Sequence, residues 1–99
     1  MIDTYCYYVC QATGITRSQL YSRKTHSDLV NARQCLYLLL ADTTNLSYSE
    51  IGRQLRKDHT TIISGVNKAR DKRKNNTVFA HLYNTIATML SKEICNGWH

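Results

Sequence analysis

Apolar residues recur at helical spacing in the middle of the chain, over residues 47–70. Ile51 and Leu55 stand four positions apart, and a second set follows at i, i+4 and i+7. The second set is Ile62, Val66 and Ala69. Because residues at these spacings share one face of an α-helix, the pattern predicts two short amphipathic helices.

Only Arg56, Lys57 and Asp58 separate the two predicted helices. Such a short connection predicts a helix-turn-helix. Ser47 and Glu50 form the S-x-x-E pattern of a capping box at the start of the first helix. We expect Asp58 to cap the second helix, because its carboxylate can accept hydrogen bonds from the amides of the first turn.

The second helix carries short hydroxyl and amide side chains opposite its apolar stripe. On a helical wheel this face consists of Thr60, Ser64 and Asn67, flanked by Thr61 and Lys68. A solvated helix face usually carries several Lys and Glu residues, whereas a helix that reads the major groove presents side chains that reach base edges. The pattern therefore favours a DNA recognition helix over an ordinary exposed face.

The remainder of the chain has the same helical periodicity. Further helices are predicted over 3–13, 18–21, 29–43 and 77–94, and the recognition helix should end within 71–76. Asp3 should cap the first helix, Gly14 should end it, and Ser27 or Asp28 should cap the long central one. The last helix is expected to bury a stripe of Val78, Leu82, Ile86, Met89 and Leu90.

Composition and charge add a domain count and a class of partner. The 99 residues include no proline and four glycines, which fits one all-α domain over 1–95 with a loose tail over 96–99. The net charge is +6, and residues 50–74 hold eight basic residues against three acidic ones. A second basic cluster consists of Arg17, Arg23, Lys24 and Arg33. Such clusters suit phosphate neutralisation, with a merely solvated basic surface as the alternative.

The residue types of metal sites and enzymes occur without the spacing that their chemistry needs. The four cysteines, which lack a C-x-x-C pair, are Cys6, Cys10, Cys35 and Cys95. Buried free thiols of a reduced cytoplasmic protein are therefore expected, with no metal site. Asp58, His59 and Thr60 are consecutive, so their side chains diverge and cannot form a nucleophile relay. We expect no catalysis and no cofactor, and no apolar run long enough for a membrane span is present.

Three segments give the chain a resemblance to a known family. They are Ala32-Arg33-Gln34, Ser47-Tyr48-Ser49-Glu50-Ile51-Gly52 and Asp58-His59-Thr60-Thr61-Ile62. In this order and spacing, the chain resembles the C-terminal DNA-binding domain (domain IV) of the bacterial replication initiator DnaA. The resemblance implies a Trp-repressor-like helical fold that contains a helix-turn-helix and binds double-stranded DNA. The length leaves no room for the initiator's AAA+ ATPase, so the chain is either a stand-alone small protein or a fragment. Its Met1 and short tail favour a stand-alone protein, which we expect to be cytoplasmic and associated with the nucleoid.

The resemblance also implies DNA contacts, since the family inserts the D-H-T-T helix into the major groove and a basic-loop arginine into the minor groove. Base or adjoining phosphate contacts are expected of Asp58, His59, Thr60 and Thr61, and backbone contacts of Tyr48 and Ser49. Arg23 and Lys24 are the available loop cations. Charge and position suggest phosphate contacts for Arg33, Lys57 and Lys68. For His59, a packing or capping role stays open, because it lies nearer the buried side of the wheel.

Three departures from the family pattern bear on the target sequence. The turn is one residue shorter than the family's G-G-R-D-H and lacks both glycines. Thr25 stands at or beside the position of the minor-groove arginine, and Tyr48-Ser49 replaces Leu-Pro. These departures leave open whether the recognition helix docks at the family's angle and whether the family's own box is recognised.

The leading expectation is a sequence-selective binder of double-stranded DNA that acts in replication or transcription control. One alternative is a protein-interaction module that uses the same basic surface against an acidic partner, with other replication proteins as an open class of partner. Another is binding of single strands through the seven tyrosines, although their helical spacing favours core packing. The oligomeric state stays open.

Overall fold

The structure, a computed structural model, describes the backbone of residues 2–97 and the side chains of residues 2–92. It contains α1 (Ile2–Thr13), α2 (Arg17–Tyr21), α3 (Ser27–Thr43), α4 (Tyr48–Leu55), α5 (His59–Asn75) and α6 (Thr77–Gly97). No strand occurs in this described part, so the all-α prediction is confirmed. Helix α6 continues past its predicted end at Ile94 into the predicted tail, whose last two residues, Trp98 and His99, lie outside the described residues.

Helix α3 is the centre of the fold. Every residue from Gln34 to Leu40 is buried, which requires neighbours on all sides of the helix. Helices α1, α5 and α6 supply most of this cover, and α2 and α4 also contact α3. On the α5 side the approach is close, because a Cβ atom on Gly65 would lie 2.5 Å from Cδ2 of Tyr37. The long helix is thus the scaffold against which both helices of the helix-turn-helix pack.

Two helix starts and one helix end carry residues that are typical of helix caps. Thr16 caps α2 in a complete capping box with Gln19. Ser47 caps α4, and its Oγ accepts a hydrogen bond from the Glu50 amide at 3.1 Å. Only this half of the predicted capping box forms, because the Glu50 carboxylate accepts from the Ser47 hydroxyl, at 3.1 Å, instead of from the Ser47 amide. Gly14, with φ of +73°, follows the last residue of α1. These caps fix two helix starts and one helix end, since each cap satisfies amides or carbonyls that have no partner within the helix.

Two predicted N-caps are wrong, and a third has the predicted position without the predicted hydrogen bond. Helix α1 begins one residue before Asp3, and the Asp3 carboxylate pairs with Arg17 instead of with the helix amides. Ser27 is the first residue of α3 and is therefore too late to cap it; His26 occupies the cap position without a side-chain bond. Asp58 stands at the N-cap of α5, but its carboxylate accepts no capping hydrogen bond. The exposed Asp58 carboxylate is thus available to an external donor.

The buried stripe of α6 begins at Phe79, one residue after its predicted start at Val78. Val78 is 80% exposed, and the buried residues of the described part of the helix are Phe79, Tyr83, Ile86 and Leu90. This set has the spacing i, i+4, i+7 and i+11, which also forms a single helical face. The aromatic rings occupy the core positions in place of Val78, since each buries more apolar area than a valine.

Most tyrosines of the described chain contribute to packing. Tyr5, Tyr37 and Tyr83 are buried in the core, whereas Tyr7 and Tyr21 are exposed. Burial raises the pKa of the Tyr37 and Tyr83 phenols. The burial of these rings agrees with the core interpretation of the tyrosine spacing.

Candidate nucleic-acid interface

The turn between α4 and α5 is tight because of two backbone features. Arg56 has φ of +58° and ψ of 44°, the left-handed conformation that usually ends a helix at glycine. The Lys57 amide donates to the Gly52 carbonyl at 2.8 Å. A Cβ atom on Gly52 would lie 2.5 Å from the Lys57 carbonyl oxygen, so only glycine fits beneath the turn. The shortened turn is therefore accommodated by Gly52 within α4 and by strain at Arg56.

Helix α5 has the two faces that the sequence predicts. Ile62, Val66 and Ala69 are fully buried. The predicted base-reading residues are all exposed: Asp58, His59, Thr60, Thr61, Ser64 and Asn67. The exposure of His59 contradicts a packing role and leaves its imidazole accessible.

A cleft of about 560 Å³ separates the polar face of α5 from the loop that follows α2. One wall carries Thr60, Thr61, Ser64 and Lys68 of α5, with Lys57 of the turn. The other wall carries Ser22, Arg23 and Thr25, and the floor includes Val30, Arg33, Gln34, Tyr37 and Gly65. The two groups of residues that the sequence singled out, the basic loop and the recognition helix, therefore face one space.

The remaining predicted contacts lie beside this interface cleft. Asn67 shares a neighbouring groove of about 420 Å³ with Thr60, Ser64 and Lys68. The predicted contacts that line neither concavity are Lys24, Tyr48, Ser49, Asp58 and His59. Of the two α4 residues, Ser49 is exposed and Tyr48 is half-buried. A hydrogen bond with Tyr48 raises the pKa of Arg70, so the tyrosine hydroxyl has a partner within the protein.

Arg33 has intramolecular partners where a phosphate contact was predicted. Its Nε donates to the carbonyl of Leu20 at 2.8 Å, and its Nη1 donates to the carbonyl of Lys24 at 2.5 Å. Its Nη2 donates to the carbonyls of Ser22 and Gln19, at 2.6 and 3.1 Å, and lies 3.1 Å from the Ser22 Oγ. All three nitrogens of the guanidinium are engaged by the end of α2 and the loop.

Three other cations of the basic run also bind within the protein. The Lys72 Nζ donates to Asn31 Oδ1 at 2.9 Å and lies 5.9 Å from the centroid of the Phe79 ring. Arg73 stacks over a ring, with Cζ 4.2 Å from the centroid of Tyr83, and Arg70 Nη2 lies 3.5 Å from Asp42 Oδ1. The predicted segregation of charge toward DNA therefore needs correction, because these cations serve the packing of α5 against α3 and α6.

Gln34 was not among the predicted DNA contacts, although it belongs to the Ala32-Arg33-Gln34 segment. Its side chain is 6% exposed and lines the floor of the interface cleft. Its Oε1 accepts no hydrogen bond within the described chain. A buried acceptor without a donor costs free energy, so this oxygen marks a place where a water molecule or a ligand donor fits.

The described residues contain no group of three or more His, Cys, Asp or Glu side chains that could hold a metal ion. Cys6 and Cys35 are buried free thiols, Cys10 is half-buried, and the side chain of Cys95 lies outside the described residues. Burial raises the pKa of the Cys35 thiol to about 12. Within the same residues, no helix is long and apolar enough to cross a membrane.

The short turn, the exposed polar helix and the facing basic loop are features that the resemblance to the DnaA domain implies. The family model described as "Bacterial dnaA protein helix-turn-helix" matches residues 2–69. The chain belongs to this family. The match covers α1 to α4 and α5 as far as Ala69, and thus both walls of the interface cleft up to Lys68. The resemblance found in the sequence is confirmed, and the helix-turn-helix is of the DnaA type.

Curated relatives of this DnaA-type domain are much longer proteins. The chain is 30% identical over 83 residues to the chromosomal replication initiator protein DnaA of Leptospira biflexa serovar Patoc, covering 84% of the chain and 19% of that protein. Identity to the DnaA of Oleidesulfovibrio alaskensis is 31% over 86 residues, covering 86% and 19%. For the DnaA of Thermodesulfovibrio yellowstonii it is 29% over 79 residues, covering 79% and 18%. The chain thus spans about a fifth of the length of these initiators.

Proposed function

We propose that this DnaA-type domain binds double-stranded DNA with sequence selectivity, with α5 in the major groove and the loop after α2 at the adjacent backbone or minor groove. The observation that carries the proposal is the interface cleft. It places exposed hydroxyls of α5 opposite a basic loop, with Lys57 and Lys68 lining the α5 side. Hydroxyls and amides reach base edges in the major groove, while cations beside them neutralise the phosphates of the same strand.

The proposal divides affinity and selectivity between two sets of residues. Phosphate contacts come from Arg23, Lys24, Lys57 and Lys68, with Tyr48 and Ser49 near the backbone. Base contacts come from Asp58, His59, Thr60, Thr61, Ser64 and Asn67. The first set supplies most of the binding free energy and its salt dependence, since phosphates are the same in every sequence. The second set discriminates between sequences, because each base pair presents its own donors and acceptors in the major groove.

We propose that the domain acts without catalysis, by occupying its sites in replication or transcription control. The part of the relatives that the chain matches is the helix-turn-helix, which supports this reading. The strained Arg56 and the close passage over Gly52 give α5 its own start relative to α4. The proposal therefore includes a preferred sequence that differs from the family's own box.

Selection of bound duplexes from a random pool tests binding and selectivity together. We expect one short sequence to be enriched and a mobility-shift titration with that sequence to weaken as salt rises. Absence of duplex binding at low salt would contradict the proposed DNA binding and favour an acidic protein partner. Binding without enrichment of any sequence would show that the domain binds DNA nonspecifically. Tighter binding of unpaired strands would favour single-strand binding through the tyrosines.

A further inference from the structure

The loop between α2 and α3 is held by one side chain from α3. Arg33 lies in the second turn of α3 and reaches back to four backbone carbonyls, on Gln19, Leu20, Ser22 and Lys24. Two of these belong to the end of α2, where the Gln19 carbonyl also accepts from the Ser22 amide at 3.2 Å and from the Ser22 hydroxyl at 2.8 Å. The other two belong to the loop that forms one wall of the interface cleft.

A guanidinium suits this task better than any other cation. Its N–H donors lie in one plane with fixed directions, whereas the ammonium of a lysine offers donors that rotate about a single point. Donors in a fixed plane require their acceptors to take up fixed positions. The loop residues between Ser22 and Lys24 are therefore held in one arrangement, although they belong to no helix.

We infer that Arg33 is a positioning residue for DNA binding, which shapes the basic loop so that Arg23 and Thr25 face α5 across the cleft. This inference rests on the proposed function and replaces the phosphate contact that charge alone suggested for Arg33. Its positive charge is used inside the protein, on carbonyl oxygens. The cations that meet the phosphate backbone on this side are then those of the loop, Arg23 and Lys24.

The substitution Arg33→Lys separates the two roles, because it keeps the charge and loses the planar donors. A direct phosphate contact would survive the change, since lysine also binds phosphate as a point charge. A positioning role would be lost, and Arg33→Lys would then bind DNA as weakly as Arg33→Ala. We expect Arg33→Lys to weaken duplex binding about tenfold, within the usual range of coupling between neighbouring residues.

A double-mutant cycle shows whether Arg33 acts through the loop. The probe is a labelled mixed-sequence duplex of about 20 base pairs, or the enriched sequence once selected. In the background Arg23→Ala/Lys24→Ala, we expect Arg33→Lys to cost no more than about twofold, because the loop has no cations left to position. In the control background Lys57→Ala, on the opposite wall, the full tenfold loss should remain.

A measurement on the unmodified chain covers the case in which Arg33→Lys fails to fold. The Arg33 Nε–H donates to Leu20, so its NMR signal should exchange slowly with water, while that of the exposed Arg23 should exchange fast. Equal, fast exchange of both signals would overturn the inference. So would equal losses in both backgrounds of the cycle, or an Arg33→Lys variant that binds like the unmodified chain. If the unmodified chain binds no duplex, the proposed function fails while the exchange measurement still decides whether Arg33 holds the loop.

Discussion

Thr60 and Lys57 lie on the same wall of the interface cleft but have different kinds of side chain. A hydroxyl at the start of α5 can distinguish bases, whereas an ammonium in the turn attracts every phosphate alike. The proposed division of labour therefore has a direct test in these two neighbours.

Thr60→Ala is expected to weaken binding to the enriched sequence by ~1–3 kcal/mol relative to random DNA, because it removes a base contact. Asn67→Ala should behave in the same way. Lys57→Ala is the control and should weaken binding to both DNAs equally. Titrations of each variant with the enriched and a scrambled duplex give the comparison. Equal losses on both duplexes for Thr60→Ala would remove this residue from the set of base readers.

Arg56 holds a backbone conformation that disfavours side chains. A left-handed residue other than glycine costs roughly 1–2 kcal/mol. Substitution by glycine removes this cost but also increases the conformational entropy of the unfolded chain, which offsets part of the stabilisation. We expect Arg56→Gly to raise the free energy of unfolding by about 0.5–1 kcal/mol in urea denaturation. Arg53→Gly, at an exposed helical position of α4, should lower it by about 1 kcal/mol. Destabilisation by Arg56→Gly would show that the arginine side chain contributes contacts that outweigh the strain.

Among the helices, the relation of α4 to α5 depends on Gly52. Adding a Cβ there would bring it 2.5 Å from the Lys57 carbonyl, a backbone atom that cannot move alone. The start of α5 would have to shift, and with it the residues that face DNA.

Gly52→Ala is therefore expected to lower the stability by about 1–2 kcal/mol, even though alanine favours the helix by roughly 1 kcal/mol. The same variant should weaken duplex binding, measured by titration at a protein concentration and temperature where it remains folded. Gly14→Ala is the control. It introduces strain through a positive φ instead of through a clash, has open space around it, and lies in no wall of the cleft. It should change stability without changing DNA affinity. An unaltered affinity for Gly52→Ala would mean that α5 keeps its place by other contacts.

Periodicity predicted α1, α3 and α5 well, because their buried faces repeat along the sequence. It misplaced the start of the α6 stripe, where the larger rings of Phe79 and Tyr83 are buried and Val78 is exposed, whereas Ile86 and Leu90 are buried as predicted. The partners of Arg33 were not predictable, because its acceptors are backbone carbonyls that any sequence carries. The cleft itself also required the structure, since its walls come from segments more than thirty positions apart in the chain, Arg23 and Thr60 for example.

Over the whole molecule, buried thiol and phenol groups are held in their protonated form. Burial raises the pKa of Cys35 to about 12 from an ordinary value of 9.0, and raises the pKa of Tyr37 from 10.0. A raised pKa means that the folded state holds its proton more tightly than the unfolded state. The stabilisation is thus complete below the ordinary pKa and is lost as pH rises toward the folded value.

We expect the free energy of unfolding to fall above about pH 9, by up to ~1.4 kcal/mol per pH unit for each such group. Urea denaturation at several pH values measures this slope. Cys35→Ala removes the first of these groups and should flatten the slope between about pH 9 and 10, whatever it does to stability at neutral pH. An unchanged slope in Cys35→Ala would show that this thiol ionises equally easily in both states.

Arg70, Lys72 and Arg73 already have partners inside the fold, so we expect that they do not contact phosphates and do not release counterions from DNA. The release of counterions that drives association counts only the cations placed against phosphates. With Arg23, Lys24, Lys57 and Lys68 in that position, the plot of log affinity against log salt should have a slope of about −4. All eight cations of residues 50–74 would instead give about −7. Lys68→Ala should reduce the magnitude of this slope by about one, whereas Arg73→Gln should leave it unchanged. The affinity of the domain for DNA would then depend on salt much less than its net charge suggests.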